Sequence, residues 1–331
     1  MNLPATMRVV CADELGPPEN YRLVEQPLPQ PGPGEMLVRM RAASLGYSDV
    51  LMAAGRYQVK PPVPFVPGSE GSGEIVALGE GLTGYTIGQP VCVTRMSGAM
   101  GEYQLARPSD LHPFPASMSF LEASAYRVNY ATALHALKDR GQLQPGETLL
   151  VLGAAGGVGS ATVQIGKLMG ARVIAGASTA VKRDFAKALG ADAVLDYSVD
   201  NWRDALKALT DGRGVDVVAD PVGGKVFEPA FRSLAWKGRH VVLGFAGGDI
   251  PRLPANLPLL KGAALVGADI RQFSLYEPEL AAANMARIVR WCEEGLRPPL
   301  GTVYDLAHYS EAMTMAFSGQ SLGKVILRIG E

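Results

Sequence analysis

The chain has 331 residues, of which 47% are hydrophobic and 19% charged, and its formal net charge is −1. That length supports two domains and a sizeable core. A charge near zero argues against broad electrostatic attraction to nucleic acid or an anionic membrane surface. The longest weakly polar stretch, residues 149–163, is rich in Gly and Ala and too short for a membrane span. Cys11, Cys92 and Cys292 lie far apart and form no C-x-x-C unit, which fits a reducing compartment. No basic stretch followed by an apolar segment opens the sequence, so a cytoplasmic protein is expected.

Up to about residue 125 the chain shows short strand-like runs at 36–41, 73–78 and 90–93. Turn clusters rich in Pro and Gly, such as residues 27–34, separate them. This pattern predicts a compact all-β domain. From Thr148 the rhythm changes. The apolar run 148–152 reads as a buried parallel strand, followed by a helix over 160–169. Further strands are predicted at 172–175, 193–195, 215–219, 239–243 and 264–266, with helices over 180–189, 201–209 and 225–234. Such alternation calls for an α/β fold with a doubly wound parallel sheet. An amphipathic helix over 279–294 and a closing strand at 325–327 complete the chain, and no internal repeat is visible.

Between the first strand and its helix stands Gly153-Ala154-Ala155-Gly156-Gly157-Val158-Gly159. Against the pattern G-x-G-x-x-G, Ala154 takes the first position while Gly156 and Gly159 keep the other two. A glycine turn here lets backbone approach a pyrophosphate, whose charge the helix N-terminus stabilises. Ala155, Gly156, Gly157 and Val158 are therefore candidate dinucleotide contacts. Two later strands end in Asp220-Pro221-Val222-Gly223-Gly224 and Gly244-Phe245-Ala246-Gly247-Gly248, and ligands of open α/β sheets bind beyond such strand ends. Gly244 and Phe245 join the candidates. The second strand ends Gly176-Ala177-Ser178-Thr179 without the acid that binds an NAD ribose. Lys182 can pair with a 2′-phosphate, and Ser178 and Tyr197 can donate hydrogen bonds to it. NADPH is the expected cofactor.

At this point the sequence resembles the zinc-free NADPH:quinone oxidoreductases, the zeta-crystallin-like branch of the medium-chain dehydrogenase/reductases. The motifs that carry the resemblance are residues 154–159, 55–62, 66–73, 214–218 and 244–256. The resemblance implies a GroES-like β-rich catalytic domain from residues 1–125 and 269–331, with a Rossmann domain over 126–268 inserted. It also implies a homodimer in which the strand at 264–267 pairs across the two-fold axis. Thr132, in the segment where relatives contact the nicotinamide, becomes a candidate cofactor contact, and Asn129 and Tyr130 are open between contact and structural roles. Zinc-dependent relatives carry Cys where Gly46 stands and His where Ser69 stands. No metal is expected, because zinc needs three or four converging ligands.

Without a metal to polarise a carbonyl, the resemblance points to an electrophilic hydride acceptor, a quinone or an activated alkene. Tyr57 resembles the tyrosine that relatives place by the nicotinamide, and a phenol that ordinarily titrates near pH 10 is a ready donor at neutral pH. Many relatives have Asn where Gly46 stands, and some have Tyr where Leu51 stands, so the acceptor pocket is less polar here. Three functions stay open: reduction of quinones, reduction of α,β-unsaturated carbonyls or enoyl thioesters, and non-enzymatic NADPH binding as in crystallin-like or RNA-binding relatives. Near-neutral charge counts against nucleic acid.

Overall fold

The computed structural model describes residues 3–330. By contacts the chain separates into Asn129–Ile288 and the remaining residues, up to Val128 and from Val289.

The first unit begins with β1 (Thr6–Cys11) and β2 (Arg22–Pro27), an antiparallel pair. Next come β3 (Met36–Leu45), α1 (Tyr47–Ala53), β4 (Glu70–Leu78), β5 (Pro90–Thr94), β6 (Tyr103–Ala106), β7 (Leu111–His112) and α2 (Phe120–Ala123). The C-terminal part returns β14 (Leu300–Asp305), α11 (Tyr309–Ser318) and β15 (Lys324–Arg328) to the same sheet, in the order β14-β15-β3-β4-β5-β7 with β6 on β3. β3 is flanked on both sides, which explains why eight of its ten residues are buried. The expectation of an all-β domain needs amending, because α1 follows directly on β3. Its first turn is closed by Asp49, whose carboxylate accepts from the Gly46 N–H at 2.7 Å.

The second unit is a six-stranded parallel sheet. Its strands are β8 (Thr148–Val151), β9 (Arg172–Gly176), β10 (Ala193–Leu195), β11 (Val215–Asp220), β12 (Leu234–Val242) and β13 (Ala264–Gly267). They are ordered β10-β9-β8-β11-β12-β13, the doubly wound Rossmann arrangement. All residues of β8 and β11 are buried, as central strands of a doubly covered sheet should be. The helices are α3 (Arg127–Leu134), α4 (Gly157–Leu168), α5 (Ala180–Ala188), α6 (Trp202–Leu209), α7 (Phe227–Arg232), α8 (Asn256–Lys261), α9 (Ile270–Tyr276) and α10 (Pro278–Glu293). α3 continues as one π-helical stretch, His135–Arg140.

One difference from the sequence reading has a local cause. The helix expected over 225–234 is shorter. Gly223 and Gly224 take φ of 64° and 56°, which keeps the chain turning, and Leu234 already pairs with Val215 as the start of β12. α9 and most of α10 go with the parallel-sheet unit rather than with the β-rich one. Phe273 of α9 stacks on His135 at 3.9 Å, and buried Asn284 of α10 donates to Asp139 at 2.7 Å and accepts from Lys138 at 2.8 Å. The cysteines are buried free thiols, and burial pushes that of Cys292 up to about 12. No helix among the described residues is long and apolar enough to cross a membrane.

Candidate cofactor site and acceptor loop

The site in the parallel-sheet unit is built on the turn after β8. Gly153 takes φ 59°, a left-handed conformation, and sends the chain up toward α4. Gly156 is the N-cap of that helix and no side chain caps it. The first N–H groups of α4 are therefore left to an external acceptor, with the helix dipole favouring an anion. The glycines differ in what they make room for. A Cβ at Gly159 would lie 2.1 Å from the Gly153 carbonyl oxygen, so this glycine lets helix and strand end meet. A Cβ at Gly157 would sit 2.8 Å from Asn129 Nδ2. A Cβ at Gly156 would meet only the Gly153 oxygen, at 3.5 Å, and the backbone there (φ −78°, ψ 175°) suits any residue. Nothing within the protein requires glycine at 156, and without a side chain its backbone is open to close approach. Ala155 is buried and Val158 half-buried beside it. These residues fit the pyrophosphate of a dinucleotide.

Three strand-end turns come together around this point. Asp220, at the end of β11, is 1% exposed. Its Oδ1 accepts from the N–H groups of Val222 and Gly223, each at 2.8 Å, and its Oδ2 lies 2.9 Å from His240 Nε2 on β12. Val222 reaches the glycine turn, since its Cγ2 would be 2.9 Å from a Cβ at Gly153. Ala246 N–H donates to Pro221 O at 3.0 Å and Gly247 N–H to Val222 O at 2.7 Å, which ties in the loop bearing Gly244 and Phe245. Phe245 itself packs on Gly223. Tyr197 lies over Gly176 and its phenol is hydrogen-bonded to the Gly153 backbone. Burial, then the nearby Asp220, raise its pKa. Sequence reasoning found the turns but missed Asp220 and His240; the available signal was an acid ending a strand that is apolar apart from Asp216 near its start.

At the end of β9, Thr179 caps α5 by accepting from the Lys182 N–H at 3.3 Å, and Ser178 and Lys182 are both half-buried. Arg183 is committed elsewhere. It pairs with Asp196 at 2.8 Å and donates to Ala177 O at 3.2 Å. Hydrogen bonds from Ser198 hold the Asp196 carboxyl below its ordinary value, with Arg183 adding to the effect. Tyr130 is a structural bridge, 1% exposed and donating to Gln164 Oε1 at 2.6 Å, whereas Asn129 touches the glycine turn and Thr132 is half-buried.

In the β-rich unit Tyr57 follows α1, its N–H donating to Leu51 O at 3.1 Å and its half-buried ring resting on the apolar core. Nearby are the two positions that carry metal ligands in zinc-dependent relatives. The Asp49 carboxylate spans them, accepting from Gly46 N–H at 2.7 Å and Ser69 N–H at 2.8 Å. Beside them Glu70 is held by Lys324 at 2.5 Å and accepts from the Val128 N–H at 3.1 Å. A Cβ at Gly46 would point to Asp49 Oδ2 and Lys324 Cε, at 3.4 and 3.5 Å. Among the described residues, no group of three or more His, Cys, Asp or Glu side chains is placed to hold a metal ion. The donor set at this place is a glycine, a serine and carboxylates already engaged by N–H groups and a lysine.

A β-rich unit completed by the chain's own C-terminal strand, with a Rossmann sheet carrying a glycine turn, defines a two-domain oxidoreductase. Residues 32–116 match the alcohol dehydrogenase GroES-like domain and residues 157–286 the zinc-binding dehydrogenase domain. A quinone oxidoreductase-like protein 2 homolog from Nematostella vectensis is 37% identical over 326 residues, covering 97% of this chain and 88% of that protein. Among solved structures, a probable oxidoreductase from Mycobacterium abscessus superimposes with a TM-score of 0.89 at 36% identity, over 98% of this chain and 100% of that one. A mycobacterial protein complexed with NADPH gives 0.89 at 30% identity, over 97% and 99%. The chain belongs to the quinone oxidoreductase-like branch of the medium-chain dehydrogenase/reductase superfamily.

Proposed function

We propose that this oxidoreductase is a cytoplasmic, NADPH-dependent enzyme that delivers hydride to quinones without a metal. The observation that carries the reading is the donor set at Gly46 and Ser69, where a metal-dependent relative has Cys and His and this chain offers no thiolate or imidazole, only a serine hydroxyl and N–H groups already bound by Asp49. An acceptor reduced here must be electrophilic on its own account, as a quinone is.

When bound, NADPH supplies the hydride from its nicotinamide C4. The N-terminus of α4, with Gly156 and Gly157, would hold the pyrophosphate, and Ala155, Val158, Gly244 and Phe245 would line its path. Ser178 and Lys182 would bind the 2′-phosphate, with no acid at the end of β9 to repel it. Tyr197 would steady the glycine turn through Gly153, and Thr132 would contact the nicotinamide end. In the β-rich unit, Tyr57 would donate its O–H to the oxygen on which negative charge develops as the acceptor is reduced. The domain limits we propose for this chemistry are 1–125 with 269–331 for catalysis and 126–268 for the cofactor, with α9 and most of α10 bracing the cofactor domain through His135, Lys138 and Asp139. We propose a homodimer through β13, which is an edge strand carrying Leu265 at 43% exposure.

The deciding experiment follows NADPH oxidation by its absorbance against quinones, enones and enoyl thioesters. Turnover of quinones, faster with NADPH than with NADH, is the expected result. Turnover confined to enones or enoyl thioesters would move the enzyme to that class, and none with any acceptor would favour simple NADPH binding.

A further inference from the structure

We propose that His240, acting through Asp220, is the positioning residue that keeps the three strand-end turns of the cofactor site in one arrangement. This rests on the reading of those turns as a dinucleotide site. His240 is fully buried, with Phe227 and Phe231 at ring-centroid distances of 4.6 and 6.1 Å. Its Nδ1 is buried and has no hydrogen-bond partner, while Nε2 lies 2.9 Å from Asp220 Oδ2. A proton on Nδ1 would be a buried donor without an acceptor, so the ring carries its proton on Nε2 and donates it to the carboxylate.

That single donor satisfies the outer oxygen of a carboxylate that is itself 1% exposed. The other oxygen is then free to hold the N–H groups of Val222 and Gly223. From Val222 the order spreads in two directions: by side-chain contact to Gly153 at the start of the glycine turn, and through its carbonyl to Gly247 in the loop of Gly244 and Phe245. If the imidazole donor is removed, Asp220 Oδ2 becomes an unpaired buried charge. The carboxyl must then take up a proton or rotate to find another donor, and either response loosens Val222 and Gly223. His240 stands on β12, beside β11, and is fully buried, so it would not touch a ligand held by the turns. Its effect should therefore fall on cofactor affinity, not on the reacting atoms.

The test compares His240→Met, which keeps the volume and removes the donor, with His240→Gln, whose amide can replace Nε2–H. Dissociation constants for NADPH are read by fluorescence titration, alongside thermal unfolding of the ligand-free proteins and steady-state kinetics. The Met variant should raise both Kd and KM for NADPH by about tenfold or more, with a smaller change in kcat, and Gln should recover most of that loss. Should the Met protein fail to fold, His240→Asn serves instead, because its shorter amide cannot reach Asp220; it should bind weakly where Gln binds well. Wild-type affinity in the Met or Asn variant overturns the proposal, as does an equal loss in Gln, which would mark His240 as packing alone. Failure of the wild-type protein to bind NADPH would instead overturn the cofactor reading.

Discussion

Two alanine substitutions in one turn should have opposite effects, and the structure supplies the magnitudes. At Gly159 the new methyl would lie 2.1 Å from Gly153 O, 2.8 Å from Gly153 C and 2.9 Å from Ala154 Cα, all backbone atoms. Strand end and helix must separate, at a cost of about 1–3 kcal/mol or more. At Gly156 the only neighbour is the Gly153 oxygen at 3.5 Å and the backbone is extended. Ala fits there, and it lowers the entropy of the unfolded chain, so ligand-free stability should hold or rise by about 0.4–1 kcal/mol. The same methyl covers the face by which a pyrophosphate would approach α4. Gly156→Ala should therefore weaken NADPH by about 10–100-fold, or about 1.4–2.8 kcal/mol. Thermal unfolding without ligand and fluorescence titration with NADPH separate the two cases. Gly159→Ala should lower Tm, while Gly156→Ala should keep Tm and lose the cofactor. A Gly156→Ala protein that binds NADPH as tightly as wild type would refute the assignment of this turn.

Lys182→Ala should cost about 1.5–3 kcal/mol of 2′-phosphate binding, weakening NADPH about tenfold or more while NADH changes little; equal losses for both would remove Lys182 from that role. Tyr57→Phe keeps the ring and should lower kcat by about tenfold or less on a quinone, whose charge is shared by two oxygens, but by about 10²–10³-fold on an enone, which needs its enolate hydrogen-bonded. Wild-type kcat on every active acceptor would make Tyr57 a packing residue. Elemental analysis should find far less than one zinc per chain, with activity surviving chelators, and a stoichiometric activity-linked metal would reverse that reading. His112 tests the acid limb of stability. Burial, then Arg127, push its pKa down to about 3 from the ordinary 6.5. Below about pH 6.5 the unfolded chain takes up a proton that the folded protein refuses, so stability falls from there toward about pH 3, by about 1–2 kcal/mol at about pH 5. In His112→Gln that slope should flatten, and superimposable pH curves would contradict it.

The parts of the fold legible in the sequence are those whose burial is uniform. β8 and β11 could be read because central parallel strands, buried along their whole length, are short and largely apolar runs bounded by turns. α1 was hidden because its start depends on Asp49, whose carboxylate binds both the neighbouring Gly46 N–H and the distant Ser69 N–H. The helix expected over 225–234 ends early, at Arg232, because Leu234 has a strand partner in Val215, a contact no local pattern announces. The site divides in the same way. Its turns are local, so glycine spacing revealed them. The pair Asp220 and His240 joins two strands 20 positions apart, and neither residue announces the other in the sequence. Spacing also could not rank the glycines it found. Gly156 and Gly159 are both motif glycines, yet a methyl at Gly159 would strike the protein's own backbone and one at Gly156 would meet only the Gly153 oxygen, at 3.5 Å. The distinction between a glycine needed to fold and a glycine needed to bind exists only in three dimensions, and for that reason ligand-free stability and cofactor affinity must be measured on the same variants.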